Sequence, residues 1–446
     1  MLAVFSQMLD EDAAAGYLPP RSATSGWRVL DAGCGVGVIG ICAASAIAAV
    51  HNVHAVHTRK DGGLYIRCQD RDELARQVTL HNASLNNIAP SVLEAYTEPL
   101  LAGPPDELWD LILTNIPAKA GAPVLKDFIR RSVSRLQPAG NGRQGGRVFL
   151  VVVHTLADFF REHITAACAA TDGSAELFLE KKSPGHSVFV YGRKSPDAVQ
   201  TTEPVTIVPG FLSRYPFYVR AAAECVIEDI PVRIETIHGA SGFDAPGGAV
   251  LAAAKLVQRI GSRQLTAVSD APFLVHEPGQ GFFPCWLIRL SLSENTPFPP
   301  LVLSGRNILA LEAARHNASQ LTTMPVSIVT AVDVPLGDGV FRKKTHTETQ
   351  RHKDEEKCAV LLESAGGRKY SFIAAFPELL PQKSLPIDQL DSLWNALSQL
   401  LTDGGICIAA FGSSDAERFD RKKPAGFSRL GSIKRKGFRA LAYRFK

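Results

Sequence analysis

Apolar positions along the first 194 residues change period in a regular order. Short apolar runs, WRVLDAG, LYIRCQD, LWDLILTN and RVFLVVV, end in Gly, Asp, Asn or Val and have the length of buried strands. Between them lie VIGICAASAIAAV (38–50), DELARQVTLHNASLN (72–86) and LKDFIRRSVSRL (125–136), whose lengths and patterns predict helices. Strands alternating with helices predict an α/β domain: a parallel sheet covered by helices, with ligands at the carboxyl ends of its strands. A last pair, ELFLEKK and SVFVYGR, flanks the turn SPGH and predicts a hairpin.

The polar stretch SPDAVQTTEPVT (195–206) reads as a linker, so the expected domains are 1–194 and 207–446. Past it the order recurs. CQDRDELARQVTLHNAS (68–84) aligns without gaps with LSGRNILALEAARHNAS (303–319), matching Arg71 with Arg306, His81 with His316 and Asn82-Ala83-Ser84 with Asn317-Ala318-Ser319. DAGCG parallels EPGQG (277–281), LILTNIP parallels FIAAFP, and both halves end in a glycine turn followed by a Tyr-containing strand. The chain therefore reads as an internal duplication of one α/β domain. In this pairing Phe283, Gly305 and Ala375 stand where the first half has Gly37, Asp70 and Asn115, and the second copy is expected to be catalytically silent.

Composition supports two folded domains: 446 residues, 46% apolar and 21% charged. The eight cysteines form no Cys-x-x-Cys pair, so neither a zinc knuckle nor a disulfide framework is expected, and a reducing cytoplasm is. The longest apolar run, 37–50, is too short to span a bilayer, and no membrane association is expected. The insertion HNVHAVHTRKDGG (51–63) carries three histidines without ordered carboxylate or cysteine partners; it reads as a solvated loop, and no metal is expected. A second insertion, FRKKTHTETQRHKDEEK (341–357), is densely charged. With a net charge of only +4, affinity for a polyanion must come from local clustering. Residues 421–446 contain no acidic residue, and Phe427, Phe438, Tyr443 and Phe445 are interleaved with the cations, a pattern that fits RNA contact or a core edge.

GVGVIG (35–40) satisfies the dinucleotide pattern G-x-G-x-x-G. The ribose-binding acid of that pattern belongs about 20 residues on, whereas Asp70 lies much farther along, so spacing alone leaves the ligand open. Asp31, immediately before Gly33-x-Gly35-x-Gly37, sets a carboxylate beside a turn that backbone can share closely with a ligand. That suits a ligand with an ammonium group and an adenosine, namely S-adenosylmethionine; Asp70 then accepts from the ribose hydroxyls and Glu98 faces the adenine amine. DLILTNIPAKAG (110–121) ends an apolar strand at Asn115-Ile116-Pro117. The Asn115 side-chain oxygen and the Ile116 carbonyl suit the two N–H groups of a planar amine or amide, turning its lone pair toward the methyl donor. Orientation and electrostatics do that work.

The motifs VFSQMLDEDAAAGYL, VLDAGCGVGVIG, CQDRDELARQVTLHNASLNN, DLILTNIPAKAG and KSPGHSVFVYGR resemble those of class I S-adenosylmethionine-dependent methyltransferases of the small-domain type. Within that group the likeness is to tandem-domain ribosomal RNA guanine-N2 methyltransferases. It covers nearly all of 1–194 and, more faintly, the second half. The resemblance implies two tandem Rossmann-like domains, each a mostly parallel seven-stranded sheet with helices on both faces; comparison of the two halves makes the first copy the expected catalytic one and the second a degenerate copy with an RNA-binding or structural role. The resemblance implies cofactor roles for Asp31, Gly33, Gly35 and Asp70, and a substrate-amine role for Asn115 and Pro117; Gly37 completes the turn. It also implies RNA as partner, free or in a ribosomal particle. Two features depart from the family: Asn115-Ile116-Pro117-Ala118 replaces Asn-Pro-Pro and an aromatic residue, and the degenerate copy comes second. Competing readings are a protein glutamine-amide methyltransferase, a non-catalytic RNA-binding or assembly factor and, more distantly, a nicotinamide dehydrogenase.

Overall fold

In the first half, each continuous apolar run becomes a strand with both faces covered, as a parallel sheet requires. The chain is described by a computed structural model over residues 26–50, 63–104, 106–139, 144–171, 173–194, 210–266, 271–331, 358–379 and 388–446, with Ala3 and Gln7. The linker, the charged insertion, all but Gly63 of the histidine-rich insertion and, Gln7 aside, the motif VFSQMLDEDAAAGYL lie outside the described residues. The chain divides into two compact units, Met1–Val208 and Pro209–Lys446.

In the first unit the order is β1 (Arg28–Ala32), α1 (Val38–Val50), β2 (Tyr65–Asp70), α2 (Glu73–Leu85), β3 (Leu93–Thr97), β4 (Leu111–Thr114), α3 (Ala122–Ser134), β5 (Arg147–Val153), α4 (Ala157–Ala169), β6 (Ala175–Ser183) and β7 (His186–Arg193). The sheet runs β3-β2-β1-β4-β5-β7-β6, with β7 antiparallel to both neighbours. Strand order reverses between β1 and β4, the switch point where such sheets open a crevice. Asp31 pairs in register with Cys68 on one side and Leu113 on the other, so the loops after β1, β2 and β4 meet at that crevice. Asp72 caps α2 by accepting from the Leu74 N–H.

After a short helix at Phe211–Arg214 and a 3-10 turn at Pro216–Tyr218, the second unit has a hairpin, β8 (Val219–Ile227) and β9 (Ile230–Ile237), and α5 (Gly248–Ile260). There follow β10 (Phe273–His276), α6 (Phe282–Ser293), β11 (Leu301–Gly305), α7 (Ile308–Ser319), β12 (Val326–Thr330), β13 (Tyr370–Ala375), α8 (Gln389–Leu400), β14 (Leu401–Gly412), α9 (Ser413–Arg421), β15 (Phe427–Arg435) and β16 (Phe438–Phe445). Its sheet, β12-β11-β10-β13-β14-β16-β15, repeats the first. Asn307 caps α7 as Asp72 caps α2. Among the described residues no helix is long and apolar enough to cross a membrane.

Register corrects the pairing of the two copies. Ala32 pairs with Gln69 and Thr114, and His276 pairs with Ser304 and Ala375. His276 is thus the counterpart of Ala32, Gly305 of Asp70, and Phe376, not Ala375, of Asn115. In the turn, Glu277, Gly279 and Gly281 match Gly33, Gly35 and Gly37, and all six have positive φ. Phe283 is therefore not the counterpart of Gly37, and Val275 stands at Asp31. Aligning the turns on glycine identity slides them by two residues, because a non-glycine, Glu277 at φ 53°, holds the first left-handed position.

The basic carboxyl terminus is sheet rather than tail. Phe427 and Tyr443 are buried in the core. Arg429 pairs with Asp420, Arg435 with Glu228, Arg439 with Glu417, and Lys422 with Asp388 and Asp391. Four of its ten cations are thus matched by carboxylates from elsewhere in the unit.

Candidate active site

The turn after β1 is built on left-handed backbone at Gly33 (φ 78°), Gly35 (φ 54°) and Gly37 (φ 81°). The N–H groups of Gly33 and Cys34 both donate to the Gln69 carbonyl, at 2.8 and 3.1 Å, tying the turn to the end of β2. A Cβ added at Gly35 would meet nothing within 4 Å, and one at Gly33 only Leu100 at 3.7 Å, so these two positions border open space. Gly37 differs. Its Cβ would stand 2.7 Å from Thr79, so its smallness lets α2 approach the turn.

Helix α2 clamps the turn from beneath. Thr79 Oγ1 donates to the Gly35 carbonyl at 3.1 Å and Asn82 Nδ2 to the Val36 carbonyl at 2.9 Å. The second copy repeats the clamp, Asn317 Nδ2 donating to the Gln280 carbonyl at 3.0 Å, and Gly281 packs on Ala314, the counterpart of Thr79. Asn82 received no role from the sequence, although the match of Asn82-Ala83-Ser84 with Asn317-Ala318-Ser319 carried the signal.

Asp31 is fully buried; Oδ2 accepts from the Gly40 N–H at 2.8 Å, while Oδ1 has no partner. Burial pushes its carboxyl up to about 7, against the Gly40 bond, with the Asp70 charge adding to the rise. Gly40 is required at this distance, since a Cβ there would lie 2.6 Å from Cys68 Sγ and 3.1 Å from Asp31 Oδ2. A buried carboxylate oxygen without a donor fits a cationic group on a ligand. Asp70 ends β2 at the same turn: Oδ2 accepts from the Gly35 N–H at 3.1 Å and Oδ1 from the Asp72 N–H at 3.0 Å. Each oxygen retains acceptor capacity toward a hydroxyl.

Glu98, just after β3, is held through one oxygen. Its Oε2 accepts from Arg67 Nη2 at 2.7 Å; that buried guanidinium also holds Glu107 and Gln69 and lies 3.9 Å from the Tyr96 ring centroid.

At the end of β4, Thr114 Oγ1 donates to the Ala32 carbonyl at 2.6 Å, locking the ends of β1 and β4 together. Asn115, the next residue, is exposed, whereas Ile116 is buried and anchors the bend. Pro117 is extended, and a single 3-10 turn, Ala118–Ala120, exposes Lys119 before α3. The structure thus brings Asp31, Gly33, Gly35 and Asp70 together with Asn115, Ile116 and Pro117 at adjacent strand ends, with Gly37 packed beneath. Farther along the same rim, His154 Nδ1 lies 3.0 Å from Ser187 Oγ, and Lys182 and His186 are exposed in the hairpin beside it. Phe159, half-buried in the first turn of α4, lies edge-on to His163, with Lys126 Nζ 5.9 Å from its ring centroid. Among the described residues no cluster of His, Cys, Asp and Glu could hold a metal.

Residues 3–171 match the family model of the methyltransferase small domain. No curated protein matches the chain. Among solved structures, the 16S rRNA N2 G1207 methyltransferase of T. thermophilus, in complex with AdoMet and guanosine, is 14% identical, with a TM-score of 0.51 over 98% of this chain and 91% of that one. The ribosomal protein L11 methylase of Lactobacillus delbrueckii subsp. bulgaricus is 21% identical over 42% of this chain and 79% of its own, with a TM-score of 0.28. The magnesium protoporphyrin IX methyltransferase of Synechocystis PCC 6803, with bound SAM, is 16% identical over 43% of this chain and 80% of its own, with a TM-score of 0.29. The likeness to the T. thermophilus structure spans both units and shows the fold, two tandem Rossmann-like methyltransferase domains.

Proposed function

The chain is a class I S-adenosylmethionine-dependent methyltransferase with its methyltransferase small domain in residues 3–171, and from that premise we propose that it methylates the exocyclic N2 amine of a guanine in ribosomal RNA. The observation that carries the site assignment is the buried, unpartnered Asp31 Oδ1 one strand away from the exposed Asn115. S-adenosylmethionine, when bound, supplies an electrophilic methyl group on a sulfonium. Asp31 Oδ1 holds its ammonium, Gly33 and Gly35 let it lie against backbone, and Asp70 accepts from its ribose. Glu98 is held through Oε2 by Arg67, which it shares with Glu107, at the end of β3.

Asn115 Oδ1 and the Ile116 carbonyl accept the two N–H groups of the guanine amine. This fixes the amine plane and aims its lone pair, whose delocalisation into the ring otherwise makes it a poor nucleophile. Pro117 holds the bend extended, so that the Ile116 carbonyl keeps its direction. Ala118 offers no ring to the base; half-buried Phe159, in the first turn of α4, is one aromatic side chain that could serve. Lys119 and Lys182 supply positive charge, and exposed His186 a further polar contact, for the backbone of a flipped or single-stranded nucleotide. The second unit lacks the parts for turnover: Val275 replaces Asp31, Gly305 replaces Asp70 and Phe376 replaces Asn115. Its role is to hold RNA. A cytoplasmic location accompanies that substrate.

The test is transfer of labelled methyl to ribosomal RNA, and to ribosomal particles, from cells lacking the protein, followed by mass spectrometry of nucleosides. One N2-methylguanosine restored by wild type and not by Asn115→Ala supports the reading. Label on a protein glutamine, or equal inactivity of both proteins with RNA binding intact, overturns it.

A further inference from the structure

We infer that the second unit grips a phosphodiester of single-stranded RNA in the groove between α5 and the edge strand β15; this rests on RNA being the substrate. The groove encloses a cavity of about 530 Å3 walled by Arg259, Gln264, Arg429 and Ser432 over Leu256 and Ile260, and no carboxylate lines it.

Its polar groups present donors. Gln264 Oε1 accepts from Arg444 Nη2 at 2.9 Å, and since a guanidinium only donates, the amide oxygen is fixed there and the NH2 is left free. Ser432 Oγ accepts from Arg429 Nη2 at 2.9 Å, which leaves its O–H to donate. Arg429 is braced by Asp420 at 2.7 Å. Arg259 is exposed and has no hydrogen-bond or ion-pair partner among the described residues. Donors around an apolar floor suit an oxyanion carried on a sugar and a base.

Comparison of the two copies sharpens the assignment. Glu176 pairs with Gly192 and Leu177 with Tyr191, while Ser428 pairs with Arg444 and Arg429 with Tyr443. Both edge strands then bulge at the next residue, so Leu177 corresponds to Arg429 and Leu179 to Gly431. In the first copy Leu179 packs on the core. In the second, Gly431 leaves that volume open, and an added Cβ would meet only Leu256 Cδ1 at 3.4 Å. The copy that lost the cofactor residues has, at one bulge, an arginine and a glycine in place of two leucines.

The experiment measures binding of a fluorescent single-stranded RNA to the full chain by anisotropy, with calorimetry of S-adenosylmethionine binding and thermal melts in parallel. Arg259→Glu is expected to weaken RNA binding about tenfold and lower the salt slope by about one. Gly431→Val fills the cavity without changing charge and is expected to weaken binding about fivefold, with Gly431→Ala as a milder version should the valine perturb folding. Lys255→Glu, the same charge change on α5 outside the groove, is expected to change affinity less than twofold. Equal losses from Arg259→Glu and Lys255→Glu, or unchanged affinity on filling the cavity, overturn the groove while leaving RNA as the substrate. Wild type that binds S-adenosylmethionine but no RNA overturns the substrate reading itself. Binding of polyglutamate in preference to RNA assigns the groove to an acidic protein and also overturns the inference.

Discussion

Replacing Asp31 by asparagine separates stability from function in one variant. Asp31 is fully buried with one oxygen unpartnered, and its carboxyl is pushed from 3.8 to about 7. A rise of that size corresponds to about 4 kcal/mol of penalty on the ionised form. Because the folded value is raised, the penalty is absent below the unfolded value near 4, grows as pH rises toward 7 and is level above it. Asp31→Asn keeps an oxygen for the Gly40 N–H and removes the charge, but buries an amide nitrogen where Oδ1 stood, at about 1–3 kcal/mol. The expected net gain at pH 8 is about 1–3 kcal/mol. It should appear in differential scanning calorimetry as a rise of about 2–4 °C per kcal/mol in the melting of the first unit. The gain should shrink toward pH 5. Added S-adenosylmethionine should raise the melting temperature of wild type and do so much less for the variant, whose site has lost its anion. A variant that melts lower at pH 8, or gains as much from the ligand as wild type, would refute the assignment of Asp31.

Affinity for S-adenosylmethionine, measured by calorimetry across pH, should fall as pH drops through about 7, where Asp31 takes up a proton, and again above about 8, where the ligand's α-amino group loses one; a flat profile contradicts the pairing. Asn82→Ala removes the bond to the Val36 carbonyl and should weaken the ligand about tenfold by calorimetry while lowering stability by about 1 kcal/mol. Gly37→Ala drives a Cβ into Thr79 at a left-handed position and should cost about 2 kcal/mol in denaturant unfolding of the first unit; pairing it with Thr79→Ala should recover part of the loss.

Much of this architecture was legible because the first sheet is mostly parallel. Strands buried on both faces read as continuous apolar runs, and RVFLVVV and VIGICAASAIAAV coincide with β5 and α1. The glycine turn was legible too, since left-handed backbone leaves its mark in residue choice. Where that mark fails, reading fails: Glu277 occupies a glycine's conformation, and the second turn was aligned two residues off. The hairpin β8–β9 leaves no turn signature in the sequence because its turn is Glu228-Asp229, both at positive φ, with no Asn-Gly to announce it. Residues 421–446 look like a basic arm partly because Glu228 and Asp388, which pair with Arg435 and Lys422, lie far away in sequence. The engagement of Glu98 by Arg67 was invisible for the same reason.

The central claim is that one methyl donor sits in the first unit beside Asn115, and calorimetric titration of the full chain with S-adenosylmethionine addresses it directly. One mole should bind per mole of chain, the heat should persist in Asn115→Ala while methyl transfer is lost, and it should collapse in Asp31→Asn. Absence of any heat, two moles per chain, or binding indifferent to Asp31 would contradict the account.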